Sequence, residues 1–131
     1  MAVPERIEPA INASLRADVD IQAICENRVY HLKIPQGTIL PAVVHQRVYS
    51  SPYNTLMGYG SEGVTLMLNS FAVTWDEAKD LALAVRGAMS REPICAIFLN
   101  ERDIMNETGD VFCISAEYAC HQLGGYCHVH D

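Results

Sequence analysis

Val64 to Met89 reads VTLMLNSFAVTWDEAKDLALAVRGAM, and inside it a strand pattern gives way to a helical one within a single residue. Thr74 stands where its hydroxyl can accept from the first helical turn, and Glu77 three positions on can reach back to the Thr74 amide, so T-W-D-E reads as a capping box. Asp76 and Glu77 suit the positive end of the helix dipole. Ala78, Leu81, Ala82, Val85 and Met89 then fall on one helical stripe, while Lys79, Asp80 and Arg86 lie off it. The stretch predicts a strand feeding a helix, a scaffold rather than a catalytic unit.

On the N-terminal side, Ile7, Ala10, Ile11 and Leu15 share a helical stripe, with Pro9 tolerable in a first turn that starts near Glu8. Asp18 is placed to cap a second short helix carrying Val19, Ile21, Ala23 and Ile24. Residues 28–32 read as a short strand, and IPQGTILP, with two prolines and a glycine, reads as an irregular connection. Pro41 opens a strand in which Val43, His45, Arg47 and Tyr49 alternate with Val44, Gln46 and Val48, so both faces are mixed. Ser51 to Gly63 is a Gly/Pro/Ser/Asn-rich connection, longer than a hairpin usually needs. Its Tyr53, Leu56, Met57 and Tyr59 suit either a partner surface or burial on the domain's own core.

Beyond the helix, Ile94 to Ile104 forms a strand pattern, with Ile94, Ala96 and Phe98 on one side and Cys95, Ile97 and Leu99 on the other. Asn106 to Asp110 reads as a turn, after which Phe112, Ile114, Ala116 and Tyr118 alternate with Cys113, Ser115 and Glu117, closing a hairpin. The order ααβββαββ implies an α+β fold, a mostly antiparallel sheet of four to five strands against N-terminal helices and one central helix. Every connection is compatible with antiparallel neighbours. Residues 1–120 are expected to form one domain, and 121–131, with a Gly-Gly break, a flexible or partner-ordered tail.

Composition bounds the function. The 131 residues are half apolar and 19% charged, which fits a single domain that buries roughly two thirds of its unfolded surface. No apolar run approaches the roughly 20 residues of a spanning helix, and the first residues lack a signal-peptide pattern. The formal charge of −7 comes from 16 acidic and 9 basic residues with no Lys/Arg cluster, which argues against a grip on nucleic acid.

Catalytic signals are missing: there is no G-x-S-x-G elbow, and Gly58-Tyr59-Gly60 lacks the Lys and helix start of a phosphate loop. His31 and His45 lie in strand patterns, where a lone imidazole is more often a hydrogen-bonded structural residue than a base. Cys113, Cys120, His121, Cys127, His128 and His130 offer soft ligands, but no C-x-x-C pair occurs, and a regular strand puts Cys113 and Cys120 on opposite faces. The alternatives are a small metal-binding module using this tail or small buried thiols beside a surface tail; no metal ligand is assigned and no cofactor is expected. Five cysteines in a chain without export signals are expected as free thiols.

Four stretches together resemble a known family: IEPAINASLRAD, RVYHLKIPQGTILPAVVHQRVYS, the 64–89 stretch, and ERDIMNETGDVFCISAEY. The most specific features are Ile34-Pro35-Gln36-Gly37 followed by Pro41 and a strand, then Thr74 before an Asp-Glu-Ala helix. In these the chain is similar to the tail-terminator, or tail-completion, proteins of long-tailed phages and related tail-like particles, whereas HQLGGYCHVHD departs from their short polar ends. The resemblance implies a non-enzymatic virion protein, assembled in the host cytoplasm, that forms a hexameric ring on the head-proximal end of the tail tube. Its implied partners are further copies of itself, the tail-tube protein, the head-tail connector and DNA passing through without specific binding. A head-tail connector component is the near alternative. Partner-contact candidates, from the residues themselves, are Arg47, Tyr49, Tyr53, Leu56, Met57 and Tyr59.

Overall fold

The computed structural model describes residues 6–52, 61–105 and 110–123. The elements follow the expected order: α1 (Ile7–Ala17), α2 (Val19–Cys25), β1 (Val29–His31), β2 (Ala42–Pro52), β3 (Ser61–Ala72), α3 (Trp75–Met89), β4 (Ile97–Met105) and β5 (Phe112–Leu123). The strands form one sheet in the order β1-β2-β3-β5-β4.

The helices start where the sequence places their caps. Thr74 Oγ1 accepts from the Glu77 N–H at 3.2 Å, half of the expected box, and Asp18 Oδ1 accepts from the Ile21 N–H at 3.0 Å. In α3, Ala78, Leu81, Ala82, Val85 and Met89 are all buried. Burying each of the larger ones contributes about 1.5–3 kcal/mol. In α1, Ile7, Ile11 and Leu15 are fully buried, and Pro9 sits in the first turn, where no intrahelical N–H is lost.

Alternation along the strands decides which side the helices cover. Val64, Leu66 and Leu68 of β3 and Ala116, Tyr118 and Cys120 of β5 pack with Val43, Val29 and the helical stripes in one core. Leu66 pairs with Tyr118 and Leu68 with Ala116, so these side chains share a face. Among the described residues, α1, α2 and α3 all pack on that face. The opposite face carries Met67, Asn69, Ser115 and Glu117, and none of the described helices packs on it.

The structure differs from the sequence reading in four places. The sheet is mixed, because β1 runs parallel to β2, Val29 beside Val43. The chain returns to the start of β1 through 32–41, helped by Gly37 at φ +83° in a turn closed by Thr38 N–H to Pro35 C=O at 3.2 Å. Alternation within two strands carries no record of their relative direction, so the parallel pairing was not legible.

Strand β4 starts at Ile97, not Ile94. Residues 91–96 wind back instead: Cys95 has φ +48°, its N–H bonds to Arg91 C=O, and Ala96 N–H bonds to Met89 C=O. Ile94 and Ala96 are nevertheless buried. The 51–63 connection is shorter than read, because β2 reaches Pro52 and β3 begins at Ser61. Finally, β5 continues to Leu123, so 121–123 pair with β3, while 124–131 lie outside the described residues.

Two bulges shape the sheet beside one row. Arg47, Leu66, Tyr118 and Phe98 lie in register across four strands, and the pairing slips by one residue next to that row in both β2 and β4. Val48 and Leu99 are the extra residues.

Candidate assembly interface

The β2 bulge separates two side chains that simple alternation puts together. Arg47 pairs with Leu66 and lies on the helix-covered face, whereas Tyr49 pairs with Thr65 and lies on the open face. Arg47 is held from inside the domain: its Nε and Nη2 donate to the Glu8 carboxylate at 2.8–3.0 Å, which ties α1 to β2. Tyr49 is 61% exposed. Tyr53, Leu56, Met57 and Tyr59 lie outside the described residues.

Tyr49 forms one wall of a concavity of about 280 Å³ on the open face, lined also by Gly63, Thr65 and Ala119 and, from β4, by the bulged Leu99. A floor of small residues between a tyrosine and a leucine leaves room for an apolar or aromatic side chain. It offers little chemistry. The Cys120 thiol that also touches it is pushed up to about 12 by burial and, more weakly, by Glu8, so it stays protonated. A second concavity of about 250 Å³ lies between α1, α3 and the turn after it, lined by Ser14, Ala17, Asp18, Ala88, Arg91 and Glu92. Its two strongest groups satisfy each other, since Arg91 Nη1 donates to Asp18 Oδ2, and Asp18 also caps α2.

His45 and Glu101, two titratable groups inside the domain, have structural partners. His45 is fully buried, its Nε2 lies 2.7 Å from Asn12 Oδ1, and its ring stacks on His31 with centroids 5.0 Å apart. Burial pulls its pKa down to about 4, and the neighbouring His31 adds to the effect. Burial alone would raise Glu101, but Lys79 and Arg86, which both donate to its carboxylate, hold it below the usual range. Arg86 also lies 3.8 Å from the Phe98 ring centroid, and Phe98 packs edge-on against Tyr118. These contacts fix β4 to α3.

The soft-ligand cluster does not assemble among the described residues, where no group of three His, Cys, Asp or Glu could hold a metal ion. The pairing of β5 with β3 is regular from Ala72–Phe112 to Ser61–Leu123, so Cys113 and Cys120 do fall on opposite faces. Both are buried, and Cys25, Cys113 and Cys120 are free thiols. Cys127, His128 and His130 lie outside the described residues.

The sequence reading missed a group of large apolar side chains left in solvent around β4. Ile97, Leu99 and Ile104 of β4 and Leu83 of α3 are all exposed. One signal was available: Leu83 falls off the buried stripe of α3, where a surface helix normally carries a polar residue.

Fold and surface together define a small α+β domain with an internal core, no assembled catalytic set among the described residues, and apolar side chains held outward. The profile of the tail completion protein gp17 family matches residues 9–118, and the chain belongs to that family. It is a phage tail structural protein. In fold it is similar to a chain from the virion of a native gene transfer agent particle, with a TM-score of 0.69, 18% identity, and coverage of 87% of this chain and 92% of the other. No curated protein sequence matches it. No described helix is long and apolar enough to cross a membrane.

Proposed function

We propose that the protein forms a homohexameric ring that caps the head-proximal end of the tail tube, ends tube polymerisation and presents a surface to the head-tail connector. The observation that carries the reading is family membership over residues 9–118. A sheet with helices on one side supports it, because a face and two edges stay available to other subunits. The ring performs its task by contact, without catalytic residues or a cofactor, and is assembled in the host cytoplasm. Tyr49, Arg47 and the 53–60 segment with Tyr53, Leu56, Met57 and Tyr59 are the contact residues we assign from the sequence. The formal charge of −7 suits a channel through which DNA slides, since few cations are present to exchange for its counterions.

Polymerisation of the cognate tail-tube protein, followed by electron microscopy with and without this protein, tests the reading. Tubes are expected to stop growing and to carry a ring at one end. Unaltered growth, with binding to the connector alone, would overturn the terminator role in favour of a connector component.

A further inference from the structure

Besides Val48 and Tyr49 of β2, the large exposed side chains of the described sheet lie at its opposite edges. At one edge, β4 presents Ile97, 65% exposed, with Leu99 and Ile104. Helix α3 lines the other side of the same edge strand: Trp75, Lys79, Leu83 and Arg86 recur at helical spacing, and Lys79 and Arg86 reach Glu101, so the exposed Trp75 and Leu83 flank β4 on its helix-covered side, while Ile97, paired with Ala119, and Ile104, paired with Cys113, project from its open side. Exposed Asp76, Asp80 and Asp103 border it against one exposed cation on β4, Arg102.

At the other edge, Leu32 follows β1, is 63% exposed and has φ +77°. Lys33 N–H bonds to His31 C=O across it, the signature of a tight three-residue turn that favours glycine. A leucine held in that conformation with its side chain in water is a local conflict that the domain's own packing does not explain. Ile39, in the same connection, is 71% exposed. The charges nearby are mainly basic: Lys33; Arg16 on α1, which lies over β1 with its guanidinium on Val29 C=O; and Arg28, which bonds to Pro41 C=O and pairs with the exposed acid there, Glu26.

We propose that the acidic-bordered α3/β4 flank of one copy packs against the basic-bordered Leu32/Ile39 flank of a second copy, head to tail. Two different, charge-complementary patches at opposite edges of one subunit are what a heterologous contact requires; repeated by rotation, such a contact closes a ring, whereas a two-fold dimer needs one self-complementary patch. The assignment rests on the ring reading above and specifies its subunit contact. Phe98 stays out of the contact as an anchor, since Tyr118 and Arg86 already engage its ring.

Light scattering of the full chain over a concentration series, alone and with tail-tube subunits, tests the pairing through Ile97→Asp and Ile39→Asp. Wild type is expected at several protomer masses, and each variant alone at one. An equimolar mixture of the two variants should give two protomers and no more, because each retains the flank the other has lost. Leu32→Gly adds a readout that a structural role would not produce: unchanged or higher thermal stability with at least a tenfold weaker assembly. Variants that keep the wild-type mass, or a mixture that stays monomeric, would overturn the flank assignment and leave the ring standing. A wild type that remains monomeric under every condition would overturn the ring and this contact together.

Discussion

The two faces of β3 carry different residues. Toward the helices stand Val64, Leu66 and Leu68, all nearly inaccessible; away from them stand Thr65, Met67 and Asn69, with the larger exposed side chains displaced outward to Tyr49 and Leu99. The covered face holds the domain together by burial, which is non-directional and tolerates little loss of volume. The open face holds small or mixed residues at its centre, of which Thr65 and Ser115 are buried, and carries Tyr49 and Leu99 toward solvent. On the proposed reading, stability and partner recognition are set by different faces of the sheet, and substitutions on the two faces should separate them.

The largest effect is expected on the covered face. Leu66→Ala leaves a cavity between β3, β5 and the helices and should cost about 2–5 kcal/mol in denaturant unfolding, without a specific effect on the open face. A cost under about 1 kcal/mol would mean that the row through Leu66 and Tyr118 is not the centre of the core.

Acid comes next. His45 is neutral and buried, with a folded pKa of about 4 against 6.5 for the ordinary imidazole, so the unfolded chain takes up its proton first as pH falls. Its contribution is fully present above pH 6.5 and is lost as pH falls toward 4, at most about 3 kcal/mol. The difference between wild type and His45→Gln, measured by denaturant unfolding from pH 7 to pH 4, should shrink in favour of the variant as pH drops. A difference independent of pH would show that His45 titrates normally in the folded state.

Removing one cap separates helix formation from packing. Thr74→Ala should cost about 1 kcal/mol, because the Glu77 N–H loses its acceptor at the start of α3 while the buried stripe is untouched. Unchanged stability would mean that water replaces the hydroxyl without loss.

The smallest effect on stability belongs to the open face. Tyr49→Ser should leave the unfolding free energy within about 0.5 kcal/mol of wild type, since the ring is mostly in solvent. If the same variant also caps tubes with wild-type efficiency, the Tyr49–Leu99 concavity is not a partner seat and the contrast between the two faces loses its functional half.

Much of this was legible along the chain. The caps at Asp18 and Thr74, the stripes of α1 and α3, the alternation of β3 and β5 and the opposed placement of Cys113 and Cys120 depend on neighbours a few residues away, and periodicity records them. The candidate contacts were legible only in part. Arg47 and Tyr49 look like one face in the sequence, but the extra residue at Val48 changes the parity of all that follows, and the bulge exists only relative to β3. Ile97 and Leu99 looked like one face of a strand that could have been covered; their exposure depends on β4 being an edge, which the order β1-β2-β3-β5-β4 decides.

The sequence by itself determined the elements, their caps and the stripe each helix buries, because those follow from spacing within one segment. The tertiary structure decided that β1 runs parallel to β2, that Arg47 turns inward to Glu8 while Tyr49 turns outward, and that Ile97, Leu99 and Ile104 stand on an edge strand. Strand direction, register and edge position are relations between segments far apart in the chain, fixed by which pairings bury the most apolar surface together.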